Sequence, residues 1–552
     1  MPGINLQQRM PVRLMGIGLL ALFLLVMPFV SRSSTSAAND PSIVVTQQGA
    51  VRGTVAATSR AFLGIPYAAP PVGNLRWRPP RAHTSWSTTL DATKAGSPCP
   101  QAATPFGQAS VNEDCLFLNV FTPNPVQTNL PVMIWIHGGA FVTGEGSSFD
   151  PSATLVTQGK TIVVTINYRL GAFGFLAHPA LDAEAADNSS GNYGLMDQQF
   201  AFQWVQKNIR AFGGNPNLVT IFGESAGGFS VCAHIASPTA SGLFQRAITE
   251  SGPCTFPLPT LATAEISGKD IATNLGCTQQ VAAQVAACLR AVSTQQILAQ
   301  QSTGFNLGQG GSILAFSPNI SGRILPQSLS NALISGQFNH VPLVEGTNQN
   351  EGRLFTAIGF DLSTAGPLTA AEYPVAVQNL VGSQIAPQVL AEYPLGDFAS
   401  PDLAFSAIFG DAGFSCQARA ADQLLALQVP TFAYEFNDEN APMLFLPPVS
   451  FPYGATHTDE IQYLFQTPGV PSRLDANQQR LSQQMISYWT QFARNGNPNS
   501  LGTANWGVYS ALVDNFQSLV PSTPHVEFNF SATHHCAFWT RIALTQGSGI
   551  AS

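Results

Sequence analysis

The sequence predicts an α/β fold. Short apolar runs rich in β-branched and aromatic residues read as buried strands, among them "VMIWI" (Val132–Ile136) and "LVTIF" (Leu218–Phe222). Each run ends in a glycine-rich turn, "HGGAF" after the first and "GESAGG" after the second. Beyond the second turn, "GGFSVCAHIAS" carries apolar residues at helical spacing, which completes a strand–turn–helix unit.

The composition fits a globular chain with many loops: 552 residues, 45% hydrophobic, with 48 Gly and 40 Pro. Charged residues make up 10%, well below the roughly 25% of an average soluble chain. The net charge of −8 is thinly spread, so there is no basic patch for nucleic acid. At the N-terminus, Arg9 and Arg13 precede the apolar run Leu14–Val30, followed by "SRSSTSAAND". This order reads as a secretory signal cut after Ala37 or Ala38, with an uncleaved anchor as the alternative. The expected organisation is therefore a signal peptide over 1–37 and a single domain over 38–552, secreted and free of the membrane after cleavage. Eight cysteines in an exported chain imply disulfides, though eight allow 105 pairings.

Ser225 falls between the strand Leu218–Phe222 and the helix, in a G-x-S-x-G pattern whose Gly223 and Gly227 relieve crowding in a tight turn. Such an elbow presents a nucleophile and sets the next amide, that of Ala226, at a helix N-terminus where it faces an oxyanion. "HGGAF" (His137–Phe141) is the matching candidate for the remaining oxyanion donors. A serine hydroxyl needs a base, and in the α/β-hydrolase order an acid and then a histidine follow the serine. Of the histidines well downstream, His340 opens a strand too early, His525 enters a terminal strand, and His534 and His535 adjoin Cys536. His457, in the small-residue loop "YGATHTDE", is left as the base. Glu351 lies just after the strand "HVPLVEGT" and is preferred as the acid over Glu345, which lies within that strand.

Longer motifs accompany these residues in a fixed order: "FLGIPYAAPPVGNLRWRPP" (Phe62–Pro80), "EDCLFLNV" (Glu113–Val120), "INYRLGAFGFL" from Ile166, "GNYGLMDQQFAFQWVQKNIRAFGGNP" from Gly191, "GESAGG" from Gly223 and "FARNGNPN" (Phe492–Asn499). With them the chain resembles the type-B carboxylesterases, which include cholinesterases, fungal lipases of the same fold and bacterial p-nitrobenzyl esterases, the last being nearest in style. The resemblance covers nearly all of the mature chain and implies an α/β-hydrolase fold with a large, mostly parallel sheet flanked by helices. It implies Ser225, Glu351 and His457 as a triad, the amides of Gly139, Ala140 and Ala226 as the oxyanion hole, and Gly138 as shaping that loop. Ala140 stands where many members have a third glycine, and its methyl narrows the cavity. Glu224 and Ser251 match polar positions supporting the site. The resemblance also pairs Cys99 with Cys115, Cys277 with Cys288 and Cys416 with Cys536, leaving Cys232 and Cys254 for a fourth bridge, and matches Arg76 and Glu113 to an ion pair beside the first.

The implied activity is hydrolysis of carboxylic esters, short- to medium-chain or aryl, by two-step acyl transfer with no cofactor. No H-E-x-x-H spacing suggests a metal. The competing readings are a lipase acting on longer-chain acylglycerols, with the Cys99–Cys115 loop as lid, and a non-catalytic cholinesterase-like binding protein. One departure bears on substrate. Cholinesterases hold choline on a Trp in that loop, whereas residues 100–114 here contain no Trp and one aromatic, Phe106.

Overall fold

Strands that are apolar at every position need cover on both faces, and the alternation along them shows how this chain provides it. In Leu130–Ile136, Val132, Ile134 and Ile136 join one core cluster, while Met133 and Trp135 join another. The next strand in the sheet divides likewise, with Val219 and Ile221 on one side and Phe222 on the other. Successive side chains point to opposite faces, so a sheet lying between two cores has no polar face.

The computed structural model describes residues 40–301, 314–521 and 523–546, and Pro41–Ser552 forms one compact unit. The N-terminal apolar run and its expected cleavage site lie outside the described residues. Among the described residues eleven strands form the main sheet. They are β1 (Thr54–Val55), β2 (Ser59–Pro66), β3 (Phe117–Pro123), β4 (Leu130–Ile136) and β5 (Ile162–Ile166). After these come β6 (Gly214–Glu224), β7 (Arg246–Glu250), β8 (Leu343–Asn348), β9 (Thr431–Phe436), β10 (Phe516–Leu519) and β11 (His525–Glu527). Their order across the sheet is β11-β10-β9-β8-β7-β6-β4-β5-β3-β2-β1. All neighbours from β5 to β10 are parallel, and the pairings at both edges are antiparallel. This is the expected α/β-hydrolase architecture. β6 begins earlier than its apolar run suggests, because Gly214 pairs with Leu130 before a register shift near Val132.

The helices used below are α1 (Tyr193–Asn208), α2 (Ala226–Ala236), α3 (Gly352–Thr356), α4 (Ala476–Asn495) and α5 (Cys536–Gln546). α4 starts at a capping box: Asp475 accepts from the Gln478 amide at 2.9 Å, and the Gln478 side chain accepts from the Asp475 amide at 2.8 Å. It ends at Gly496, whose φ of +80° is the left-handed conformation that stops a helix.

Disulfides join Cys99–Cys115, Cys232–Cys254, Cys277–Cys288 and Cys416–Cys536. The second ties α2 to the segment after β7. Arg76 bonds Glu113 through Nε at 2.7 Å and donates from Nη1 to the Val292 carbonyl, also at 2.7 Å, beside the first bridge. None of the described helices is long and apolar enough to cross a membrane.

Candidate active site

β6 ends at Glu224, and Ser225 follows with φ +56° and ψ −122°, a conformation an L-residue adopts only when its surroundings hold it there. Its amide donates to the Glu250 carbonyl at 2.9 Å, and its carbonyl accepts from the Phe229 amide at 2.9 Å. An added Cβ at Gly227 would lie 2.0 Å from the Ile136 carbonyl oxygen, so glycine lets α2 begin against the end of β4.

The strand that Gly227 touches leads into the oxyanion candidate. Gly139, Ala140 and Phe141 have φ of +96°, +53° and +60°. The Gly139 carbonyl accepts from the amides of Val142 and Thr143, both at 3.0 Å, closing the turn. Among the described residues the amides of Gly139 and Ala140 donate no hydrogen bond. The amide of Ala226 opens α2, where first-turn N–H groups have no intrahelical acceptor. A Cβ on Gly138 would fall 2.7 Å from Glu224 Oε2 and 3.1 Å from Ser225 Cβ, which places this loop against the elbow.

His457 and Glu351 arrive on separate loops laced together. The Asn350 amide donates to the Ala455 carbonyl at 2.9 Å, Leu354 N–H to Thr456 Oγ1 at 2.8 Å, and Asn348 Nδ2 to the Thr456 carbonyl at 2.7 Å. With the loops so fixed, Glu351 Oε2 lies 2.6 Å from His457 Nδ1, and Glu351 Oε1 accepts from the Asn348 amide at 2.8 Å. A carboxylate at Nδ1 selects the tautomer with its proton there and a lone pair on Nε2. Nε2 lies 3.1 Å from Glu224 Oε1 outside hydrogen-bond geometry, and among the described residues it has no hydrogen-bond partner. The rings of Phe355 and Phe414 flank the imidazole, with centroids 4.8 and 5.1 Å away.

Gly138, Gly139, Ala140, Glu224, Ser225 and His457 all line one cavity of about 560 Å³. Glu351 lies behind the imidazole. Ser251 sits at the end of β7 with φ +50°, its amide bonded to the Gly346 carbonyl at 2.8 Å and its hydroxyl buried. Burial pushes the Glu224 carboxyl well above the usual carboxylate range, helped by the negative charges of Glu460, Glu351 and Glu250. Burial likewise lowers His137 to about 4, so its ring is neutral. The remaining downstream histidines are occupied or exposed: His534 is gripped by Asp411 at 2.6 Å and Glu435 at 2.5 Å, while His340 and His525 face solvent.

The carboxylesterase family model matches residues 40–539. The chain belongs to the carboxylesterase family. It is 35% identical over 485 residues to the para-nitrobenzyl esterase of Bacillus subtilis (strain 168), covering 85% of this chain and 92% of that one. It is 33% identical to the human cocaine esterase, covering 88% of each. A solved structure named PNB esterase superposes with a TM-score of 0.75 at 34% identity, covering 89% of this chain and 98% of that one. The protein is thus a carboxylic ester hydrolase of the α/β-hydrolase fold.

Sequence reasoning missed several residues around the centre of this carboxylesterase. Glu250 accepts from Trp489 Nε1 at 2.8 Å, linking β7 to α4 beneath the elbow. Glu460 accepts from the side chain of Asn348, whose amide donates to Glu351. Glu460 follows His457 closely in "HTDE", a signal that was available; Phe414 comes from a distant helix and left none.

Proposed function

We propose that this carboxylesterase is an exported serine esterase that cleaves short- to medium-chain or aryl esters through an acyl-enzyme on Ser225. The observation that carries the reading is the state of His457. Glu351 accepts from Nδ1 at 2.6 Å, and Nε2 is left without a hydrogen-bond partner among the described residues, beside the cavity that both His457 and Ser225 line.

In the first half-reaction Ser225 Oγ attacks the ester carbonyl carbon while its proton moves to His457 Nε2. Glu351 stabilises the imidazolium so formed. The carbonyl oxygen becomes an oxyanion before the amides of Gly139, Ala140 and Ala226, where one lost donor costs roughly 100- to 1,000-fold in rate. Collapse of the tetrahedral intermediate expels the alcohol, which takes its proton from Nε2. Water then repeats the sequence on the acyl-enzyme and releases the acid. Leu354, Phe355, Ile358 and Leu362 line one part of the cavity, and Phe106, Phe149 and Phe445 another, which suits apolar and aromatic ester groups. The name of the para-nitrobenzyl esterase relative points the same way. Four disulfides favour export over a reducing cytosol.

The test is hydrolysis of p-nitrophenyl esters from acetate to palmitate by the wild type and Ser225→Ala. The expected result is activity concentrated on the shorter chains and reduced by roughly 10,000-fold or more in the variant. Equal rates in both proteins would remove Ser225 from the mechanism, and a preference for palmitate would favour a lipase.

A further inference from the structure

We propose that Glu145 equips this cavity to bind esters carrying a protonated amine, in the alcohol or the acyl portion. The inference rests on the esterase reading and adds to it a substrate class.

The titratable residues lining the cavity are His137, Glu145, Glu224 and His457, and no Lys or Arg is among the lining residues. His137 is neutral, and burial favours the neutral form of Glu224. Glu145 differs from both. It is half-buried, its carboxylate accepts from Ser147 Oγ at 3.1 Å, and among the described residues it forms no ion pair. Burial raises its carboxyl above the ordinary range, which is what a half-buried anion without a counter-charge should show. A cation placed in the cavity would remove that cost.

The surroundings suit such a cation. Gly144, next to Glu145, donates to Gln101 Oε1 at 2.8 Å, while Thr143 Oγ1 bonds Gln101 Oε1 at 2.7 Å and lies 2.9 Å from Thr104 Oγ1. These bonds pin the Glu145 segment to the loop closed by Cys99–Cys115, which carries Phe106. The Phe106 ring packs on Phe445 at 5.4 Å and Phe445 on Phe149 at 6.4 Å, and all three line the cavity together with Glu145. Aromatic faces and a fixed carboxylate both attract a cation, and the carboxylate adds a charge-assisted hydrogen bond when the cation carries an N–H. A protonated amine therefore suits this wall better than a quaternary ammonium, in keeping with the absence of Trp from the loop.

The experiment compares esters that differ only by replacing an ammonium N–H with C–H. On the alcohol side the pair is dimethylaminoethyl butyrate and isopentyl butyrate. On the acyl side it is ethyl 4-(dimethylamino)butyrate and ethyl 5-methylhexanoate. The readout is the charged-to-neutral ratio of kcat/KM near pH 7 at low salt. In at least one pair the ratio should fall about tenfold from wild type to Glu145→Gln, and the wild-type ratio should shrink as salt is added. Ratios that agree within about twofold in both pairs would overturn the proposal. A wild-type measurement needs no variant to fold: N,N-dimethylethylammonium chloride should inhibit isopentyl butyrate hydrolysis competitively and beyond equimolar sodium chloride. Equal effects of the two salts would also overturn it. Turnover of the neutral esters that is lost in Ser225→Ala keeps the esterase reading whichever way the ratios fall. If the neutral esters are not hydrolysed at all, both readings fall together.

Discussion

At the scale of single residues, Glu351 faces two demands that only a carboxylate meets. One oxygen accepts from the Asn348 amide at 2.8 Å, and the other accepts from His457 Nδ1 at 2.6 Å. Glutamine has one acceptor oxygen. In Glu351→Gln, keeping the Asn348 bond turns the NH₂ toward Nδ1, which must then present its lone pair. The ring proton moves to Nε2, and in the proposed mechanism His457 can then no longer take the proton of Ser225. We expect kcat to fall by roughly 1,000- to 10,000-fold with KM little changed. Because the substitution also removes one of several crowded negative charges, Tm should not drop with it. A variant that keeps a tenth of wild-type kcat would mean that Glu351 does not orient the imidazole.

At the scale of elements, one buried ion pair joins the sheet to its helical cover. Arg169, just after β5, donates through Nε and Nη2 to Asp197 of α1 at 2.7 and 2.8 Å, and its own amide donates to the same carboxylate at 3.1 Å. The two side chains are 2% and 0% exposed, so removing one partner strands a charge that water cannot reach. Asp197→Leu should therefore cost about 3–5 kcal/mol, and the double variant Arg169→Met/Asp197→Leu should recover most of that. Urea midpoints decide it; a double variant no more stable than the single would sink the argument. What the sequence disclosed follows the same division between local and distant. The Ser225 elbow was legible because strand, turn and helix are contiguous, and the stretches "FLGIPYAAPP" and "EDCLFLNV" announced a family before either was seen as a strand. They are in fact paired antiparallel strands next to one edge of the sheet, with Phe62 opposite Val120 and Ile65 opposite Leu118. His457 and Glu351, 106 residues apart, were reachable by motif order and elimination. The bond from Trp489 to Glu250 spans 239 residues and has no local pattern to betray it. Glu145 was equally silent, since only the fold brings it to the cavity.

At the scale of the whole molecule, buried titratable groups bound the pH range over which the fold is stable. His137 and His234 are held near about 4 and about 3 by burial, against about 6.5 in an unfolded chain. Between those values the unfolded state binds more protons, so their contribution is full above about pH 6.5 and lost as pH falls through the native values. Two other groups act in the opposite direction. Burial raises Glu250 to about 8, with the Trp489 bond opposing it; at His534 burial alone would lower the value, but Glu435 and Asp411 outweigh it and raise it to about 10. Here the native state binds more protons, so the contribution is full below the unfolded values and lost as pH rises through about 8 and about 10. Between about pH 4.5 and 6.5 the two histidines still outweigh the one glutamate, so the Tm set by these four groups should peak near about pH 6.5 and decline on both sides. Glu250→Gln isolates one part of the alkaline decline. Its amide keeps an oxygen for Trp489 and has no proton to lose, so the Tm of the variant should gain on wild type as pH rises through about 8. Differential scanning calorimetry of both proteins across this range reads that difference directly. A gap that stays constant with pH would mean Glu250 has the same protonation in the folded and unfolded states, and the alkaline decline must then come from His534 or from elsewhere in the molecule.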